Sequence, residues 1–436
     1  MVFHINTQRK VATTKDVNAD INNAIMLKFI KNKIEDKKEN QTKESLNKQS
    51  SKKLWNINTR IPPEEPYDII TYKNKNLNTK IVFISTWDIK CGIATYTSYL
   101  LKNIKMYNNE IADVFPVNDR NNLYKIENDI VHIQHEFGMM PQKIETESKV
   151  IITFHTIYKN QNFIMKQYEN SLNVVGYIAH SKAIKDVLMK NTEKDIHLIP
   201  HGSEIMEHYE KSLIRKELSF DKLGIKDDDK CAFVFGFQSG NKNFIRIIEA
   251  CKNTNVRLII SGAKHECGYT DGSLFKIDKK NVVILNRYLT DEEVNKFSSA
   301  CDLLIFDCKS EQYYSCSGAM HRVIGSGNPV ICSRVNHYND IVEHDDCLKF
   351  EGQKELELRI KKALEKSDEY SKKSLKYANE TSWENVAKQH LDVYRKYIDI
   401  DKEIVGEETD SKETIEDKEI VDKEVTDDKK IINEEI

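Results

Sequence analysis

Several signals that mark common classes of protein are missing from this sequence of 436 residues. It has no run of about 18 apolar residues, which a membrane-spanning helix needs, and its first residues lack the apolar core of a signal peptide. Nine cysteines are present, but none forms a Cys-x-x-Cys pair, and the spacing of Cys301, Cys308 and Cys316 does not fit common zinc ligands. We therefore expect a soluble, cytoplasmic protein with reduced thiols and without a structural metal.

Two catalytic signatures are absent as well, and a third occurs only away from the predicted strand ends. There is no Walker loop, which argues against a nucleotide hydrolase, and no Gly-x-Gly-x-x-Gly follows a predicted strand, which argues against a dehydrogenase. The Asp-x-Asp patterns at 227–229 and 399–401 lie in a polar turn and at the end of the last predicted helix, not after a strand. Metal-dependent chemistry built on such a motif is therefore disfavoured.

Charge is concentrated at the two ends of the chain. Residues 1–80 hold 16 Lys and Arg against 9 Asp and Glu, whereas residues 401–436 hold 6 against 15. The middle is close to neutral and has no strong electrostatic preference for a partner. The acidic tail, 400–436, has low complexity and is expected to be disordered, either as a solvating tail or folded back on the basic first 80 residues.

Residues 1–76 form an extension that is poor in aromatic residues and rich in Lys, Asn and Gln, which argues against an independent core. Within it, the segment 21–34 predicts an amphipathic helix flanked by lysines, and IPPEEP at 61–66 is typical of an extended linker. Three interpretations of the helix stay open. It docks on the rest of the chain, contacts a partner or a second copy, or lies on the inner face of a membrane.

From 77 to about 205, and again from about 230, apolar runs of strand length alternate with helical or loop stretches. The runs lie at 81–85, 111–117, 129–134, 149–154, 174–179 and 196–199, and then begin at 231, 256, 282, 302, 329 and 347. Such runs are typical of parallel strands that are buried on both faces. The sequence predicts an α/β fold of two tandem, doubly wound, Rossmann-like domains, at 77–205 and 206–380, followed by a closing helix at 381–399.

Candidate ligand-binding residues follow these strands, because such sheets bind ligands at the carboxyl ends of their strands. At three places a glycine-containing turn leads to the start of a helix, and these places comprise Cys91 and Gly92, then Gly236, Ser239 and Lys242, then Ser317 and Gly318. Helix N-termini and a lysine ammonium both favour an anion. Two such sites across a cleft fit a ligand with a diphosphate between two bulky ends.

Four histidines also fall immediately after consecutive predicted strands, namely His135, His155, His180 and His201. For any one of them, a buried or helix-capping histidine is the simpler interpretation. Together they indicate a cleft lined with hydrogen-bond donors.

From about 80 to 395 the sequence resembles nucleotide-sugar glycosyltransferases of the GT-B fold and is similar to glycosyltransferase family 4, also called group 1. The resemblance is carried, in order, by STWDIKCGIATYTSYL, DIVHIQHEFG, VIITFHT, YIAHSKAIKDVL, IHLIPHG, FGFQSGNK, SGAMHRVIGSGNPVICS and TSWENVAKQHLDVY. It implies transfer of a hexosyl or related sugar from a nucleoside diphosphate to a hydroxyl, with retention of configuration and without a metal or cofactor. The nucleotide is expected mainly on the second domain and the acceptor mainly on the first.

The resemblance also implies roles for individual residues. His135 is expected beside the transferred sugar and Lys242 beside the departing diphosphate, so that both are predicted to be catalytic. The remaining predicted donor-binding residues are Cys91, Gly92, Gly236, Ser239, Ser317 and Gly318. His155 and His201 are predicted on the acceptor side.

One motif of that family, Glu-x7-Glu, is not kept. Tyr314 stands where its first glutamate is expected and Arg322 where its second is expected. Arg322 is therefore counted among the predicted donor-binding residues. Glu311, which lies nearby but out of register, is the candidate catalytic carboxylate that contacts the donor.

Alternatives for the partner and the activity stay open. The acceptor is a glycan, a lipid-linked or small molecule, or else a macromolecule, such as a protein side chain or a modified nucleic-acid base, docked by the Lys-rich first 80 residues. Nucleic acid is the weaker case, because the basic segment lacks interleaved aromatic residues. The missing glutamate pair motivates another alternative, a non-catalytic binding or scaffold protein with the same two-domain architecture.

Overall fold

The computed structural model describes residues 6–9, 68–72, 78–117, 122–136, 140, 143–158, 162–262, 281–309, 313–342 and 347–399. The predicted amphipathic helix, the linker at 61–66, the candidate Glu311 and the acidic tail lie outside these residues.

The first domain is built on a parallel sheet of six strands. Side by side, these are β11 (Asp195–Leu198), β10 (Val174–Ala179), β8 (Lys149–Phe154), β6 (Ile130–His135), β3 (Ile81–Ser85) and β4 (Ala112–Pro116). Its helices are α1 (Gly92–Ile104), α2 (Asn162–Ser171) and α3 (Lys182–Met189).

Strand β3 shows why an unbroken apolar run forms the centre of this sheet. All five of its side chains are buried. Val82 and Ile84 belong to the hydrophobic cluster on one face of the sheet, while Ile81 and Phe83 belong to the cluster on the other. Both faces are covered, so that no polar alternation is needed.

The second domain repeats the plan. Its parallel strands, side by side, are β14 (Val282–Leu285), β13 (Arg257–Ser261), β12 (Cys231–Phe235), β15 (Leu303–Phe306), β17 (Val330–Ser333) and β18 (Leu348–Phe350). Its helices are α4 (Lys211–Glu217), α5 (Phe244–Asn253), α6 (Asp291–Ala300), α7 (Gly318–Val323), α8 (Asn339–Val342) after a 3-10 turn (Asn336–Tyr338), α9 (Gln353–Glu365) and α10 (Ser367–Glu380). The predicted fold class, two tandem doubly wound parallel sheets, is confirmed.

A smaller sheet was not predicted. It joins β1 (Asn6–Arg9), β2 (Asp68–Tyr72), β5 (Leu123–Ile126) and β7 (Lys143–Glu145). Strand β2 lies within residues 1–76, where the composition argues against an independent core, yet its Tyr72 is buried, with its ring 5.4 Å from that of Phe115. The first domain therefore also contains β2, which lies before the boundary predicted at residue 77.

Helix α11 (Trp383–Arg395) follows the second domain in sequence and packs on α1 of the first. Its Val386, Leu391 and Tyr394 belong to the hydrophobic cluster that contains Ile81 and Phe83 of β3. The Trp383 ring lies so close to the backbone at Gly202 that a Cβ there would fall 2.2 Å from it. Glycine at 202 is therefore required where the chain passes between the domains.

Candidate active site in the interdomain cleft

The carboxyl ends of the two main sheets face each other. Strand β9 (Thr156–Tyr158) follows β8 in the first domain, and β16 (Tyr313–Ser315) follows β15 in the second. The two short strands pair antiparallel, with Thr156 opposite Ser315 and Tyr158 opposite Tyr313. We call this pair the interdomain ladder. Residues that follow the strands of both domains therefore converge on one cleft.

Lys242 lies on the second-domain wall of this cleft, at the end of the turn that follows β12. Gly236, which begins that turn, has φ of 116°, and a Cβ there would lie 2.7 Å from the Lys242 Nζ and 2.8 Å from the Ala319 Cβ. The ammonium group therefore reaches across Gly236 toward the first turn of α7. Burial lowers the pKa of Lys242, and no carboxylate of the described residues forms an ion pair with it.

A buried carboxylate, that of Asp307, anchors the turn that carries Lys242 to the sheet. Asp307, at the end of β15, is 2% exposed and accepts hydrogen bonds from Nε and Nη2 of Arg246. The Asn243 backbone N–H donates to the Asp307 carbonyl over 3.1 Å. A bidentate arginine fixes both position and angle, so that the start of α5 and the neighbouring Lys242 are held to the sheet. Ser239, in the same turn, donates to the Asn241 side chain.

Helix α7 begins opposite Lys242. The Ser317 Oγ accepts a hydrogen bond from the Met320 N–H over 3.3 Å and caps the helix. The N–H groups of Gly318 and Ala319 come before the first intrahelical hydrogen bond, as at any helix start. Their positive ends and the Lys242 ammonium favour a bound anion.

Cys91 and Gly92 lie at the start of α1 in the first domain. Cys91 is the residue before the helix, its Sγ is 3.7 Å from the Thr86 Oγ1, and its side chain does not cap the helix. Gly92 is exposed, and a Cβ on it would meet no atom within 4 Å. This helix start is open, as a ligand-binding turn requires.

His135 ends β6 as a buried side chain, 1% exposed. Its ring lies 4.6 Å from that of Phe154 and 5.6 Å from that of Tyr168. Burial lowers the pKa of His135 to about 3, so that its imidazole is neutral near pH 7.

His155 and His201 meet around Tyr96 of α1. The ring of Tyr96 is 4.8 Å from that of His155 and 5.0 Å from that of His201. The His155 Nε2 donates to the Gln134 Oε1 over 2.8 Å, and the His201 Nδ1 donates to the Gly202 carbonyl over 2.8 Å. A Cβ on Gly318 would lie 3.5 Å from the His201 Nε2, so that this histidine packs against the start of α7.

Arg322 lies farther along α7 and has other partners. Its Nη2 is 2.8 Å from Asp291 Oδ1, and its guanidinium carbon is 5.5 Å from the centre of the Tyr99 ring on α1. Arg322 therefore links α7 to α6 and to the first domain.

Several cleft residues were not among the sequence-based candidates. They are Glu136, Thr156, Tyr158, Tyr313, Ser315 and His337. Glu136 comes directly after β6, so that the rule that selected the four histidines also applies to it, whereas His337 lies four residues beyond the end of β17 and falls outside that rule. The pairing of β9 with β16 has no sequence signal, because each strand is only three residues long.

The described residues lack both a metal-binding cluster and a membrane-spanning helix. They contain no group of three or more His, Cys, Asp or Glu placed to hold a metal ion. No helix among them is both long and apolar enough to cross a membrane.

Comparison with known proteins agrees with the fold. Residues 215–381 match the family model of glycosyl transferases group 1, a stretch that contains Gly236, Lys242 and the start of α7. No curated protein matches the chain.

Solved structures similar to this chain include HepE from Anabaena in complex with UDP, with 14% identity, a TM-score of 0.57, and coverage of 73% of this chain and 100% of that one. The same protein in complex with UDP-glucose has 12% identity and a TM-score of 0.54, over 73% and 99% of the two chains. A glycosyltransferase from Rickettsia africae has 14% identity and a TM-score of 0.56, over 74% and 99%. At this identity the likeness shows the fold, which is the two-domain GT-B architecture.

Proposed function

We propose that this protein is a glycosyltransferase that moves a sugar from a nucleoside diphosphate to a hydroxyl acceptor. The observation that carries the proposal is the Lys242 ammonium, which reaches over Gly236 to the start of α7 and has no ion-pair partner in the described part of the chain. The match of residues 215–381 to the group 1 family model and the UDP bound in a structure of the same fold support it. UDP is therefore the first nucleotide to test.

The chemistry follows from the charge that the reaction develops. The bond between the anomeric carbon and the phosphate oxygen breaks, and its electron pair leaves with the nucleoside diphosphate. The acceptor hydroxyl oxygen forms the new bond to the anomeric carbon, and the hydroxyl proton passes to the departing diphosphate. Lys242 and the N–H groups of Gly318 and Ala319 are fixed before the reaction, so that they stabilise this charge without reorganisation. In this proposal no metal ion takes part. Retention of configuration and membership of family 4 are proposed on the sequence resemblance.

The first-domain wall is proposed to receive the acceptor, with His155 near the cleft and His201 behind it. His135 is proposed beside the transferred sugar. Its neutral imidazole can exchange a hydrogen bond but carries no charge near pH 7, since burial holds its pKa near 3. Glu311 keeps its proposed role as a donor-contacting carboxylate.

Donor hydrolysis tests this function without knowledge of the acceptor. The protein is incubated with UDP-glucose, UDP-N-acetylglucosamine and GDP-mannose in the presence of EDTA, and release of the nucleoside diphosphate is measured. We expect release from one donor, and a loss of about tenfold or more in Lys242→Met, because a hydrogen bond to a charged group is removed. Lys252→Met, at an exposed lysine in the last turn of α5, is the matched control.

An equal rate in Lys242→Met and Lys252→Met contradicts the proposed site. Nucleotide binding without turnover of any donor, even with a panel of hydroxyl acceptors, indicates the scaffold alternative. Turnover that EDTA abolishes contradicts the metal-independent mechanism.

A further inference from the structure

The interdomain ladder has one polar and one apolar face. Thr156 and Ser315 are directly opposite each other, so that their side chains project from the same face. Ile157 and Tyr314, the middle residues of the two strands, are also directly opposite each other. Their side chains project from the other face and pack in the hydrophobic cluster of the first domain.

Polar groups from both domains line up on the first face. The Thr156 Oγ1 donates to Glu136 Oε2 over 2.8 Å, and the Ser315 Oγ is 2.7 Å from the Nδ1 of His337. Tyr313 lies on this face as well, and its hydroxyl is 3.4 Å from the Asn241 Nδ2, next to Lys242. The polar face therefore adjoins the turn that holds the lysine.

His337 is half-buried at this junction, in the 3-10 turn that follows β17. Within the described residues, the His337 ring makes one hydrogen bond, between its Nδ1 and the Ser315 Oγ. When the serine hydroxyl donates to Nδ1, the ring proton lies on Nε2, which leaves that nitrogen as a donor for a ligand.

Burial and the charge of Lys242 keep the His337 ring neutral near pH 7. Its pKa is lowered to about 4, chiefly by burial and then by the positive charge of Lys242. From α8, Asp340 raises the pKa, and from α7, His321 lowers it. A polyanion bound at Lys242 would oppose the second of these causes, because its negative charge offsets the positive charge of the lysine and so raises the pKa of His337.

We propose that His337 is a second binding group for the diphosphate of the nucleotide, acting beside Lys242 and oriented by Ser315. This proposal rests on the proposed function and adds a residue to its site. On binding, Nε2 donates a hydrogen bond to a phosphate oxygen, and the negative charge of the diphosphate favours uptake of a proton by the ring. Lys242 and His337 then share the charge of the departing group.

Proton uptake separates this role from a merely structural one. UDP is titrated into the full chain by isothermal calorimetry at pH 6.5, in two buffers with different ionisation enthalpies, with uridine as the uncharged control. The difference between the two buffers gives the number of protons taken up. The terminal phosphate of UDP itself titrates near pH 6. Protons exchanged by UDP itself are common to all variants. The role of His337 is therefore measured by the difference in proton uptake between the wild type and each variant.

Two substitutions divide the role into parts. His337→Gln keeps a neutral donor, so that we expect proton uptake to be lost while UDP affinity falls about threefold. His337→Ala removes the donor as well, and we expect UDP affinity to fall about tenfold, with uridine affinity unchanged in both. His208→Gln, at an exposed histidine outside the cleft, is the matched control. Ser315→Ala should give a smaller loss in the same direction, because the ring is no longer held.

Equal UDP affinity and equal proton uptake in the wild type, His337→Gln and His337→Ala overturn this inference. If Lys242→Met still weakens UDP binding in the same experiment, the proposed function stands and only the role of His337 is wrong. If UDP, GDP and ADP all fail to bind the wild type, both the proposed function and the role of His337 are wrong.

Discussion

At the residue scale, Gly236 has φ of 116°, in the region that favours glycine, and it lies under the Lys242 ammonium. A side chain here would meet both strain in the backbone and two neighbours closer than 3 Å, the Lys242 Nζ and the Ala319 Cβ. The position of the lysine therefore depends on the absence of one methyl group. The sequence predicted the glycine turn and the lysine, but not that the two are in contact.

Gly236→Ala is expected to displace Lys242 and to weaken UDP binding about tenfold, because the lysine Nζ must move away from the added Cβ. Calorimetry with UDP measures the affinity. Gly352→Ala is the matched control, since a Cβ there meets no atom within 4 Å. Equal affinity in the two variants would show that Lys242 is not held in the position described.

The histidines show what a sequence pattern does and does not reveal. The carboxyl ends of parallel strands meet at one edge of a sheet, and His155, His180 and His201 do lie together, with rings 5.5 to 5.7 Å apart. They pack around Tyr96 and are mostly buried, His180 at 3% and His201 at 7% exposure. The pattern of strands predicted their proximity. Their burial depends on α1 and α11, whose packing over them has no local signal.

At the element scale, the interdomain ladder is the part of the site that the sequence did not predict. Twelve apolar runs identified the twelve strands of the main sheets, because most of these runs reflect burial on both faces, although the edge strand β11 has no fully buried side chain. Strands β9 and β16 are three residues long and pair across the cleft, so that their partners are set by how the two domains meet.

A disulfide tests whether this pairing exists in solution. Residues directly opposite in an antiparallel pair have Cα atoms about 4.5–5.5 Å apart, within the range that a disulfide needs. We expect Tyr158→Cys with Tyr313→Cys to form a cross-link under mild oxidation, detected by peptide mass spectrometry.

The matched control for the cross-link is Tyr158→Cys with Ser315→Cys, a diagonal pair on the same face whose Cα atoms are about 7–8 Å apart. We expect much less cross-linking in this pair. Similar yields in the two pairs, or none in either, would contradict the register of the ladder.

At the scale of the whole molecule, buried histidines link stability to pH. Burial lowers the pKa of His135 and His390 to about 3 and that of His180 to about 4, from an ordinary value of 6.5. The unfolded chain therefore binds more protons than the folded one below about pH 6.5. Above pH 6.5 these histidines are neutral in both states, and the folded protein has its full stability. As the pH falls from 6.5 toward 4, the unfolded chain takes up protons that the buried histidines do not, and the free energy of unfolding falls.

We expect the free energy of unfolding to fall by about 2 kcal/mol for each of these histidines between pH 7.5 and pH 5. Urea denaturation at the two pH values measures this. His390→Gln should reduce the pH dependence by one such contribution, while His208→Gln, at an exposed site, should leave it unchanged. An unchanged pH dependence in His390→Gln would show that His390 is not kept neutral by burial.

The central claim is that the cleft binds a nucleoside diphosphate at Lys242, and thermal unfolding with UDP tests it most directly. A ligand that binds only the folded state stabilises it by mass action, by about 2.7 kcal/mol at a hundred times its dissociation constant. The measurement compares 1 mM UDP with 1 mM uridine, with GDP and ADP as further nucleotides. We predict a rise of a few degrees with one diphosphate, little or none with its nucleoside, and a loss of that rise in Lys242→Met but not in Lys252→Met. No rise with any nucleotide, or an equal rise in Lys242→Met, would contradict the claim.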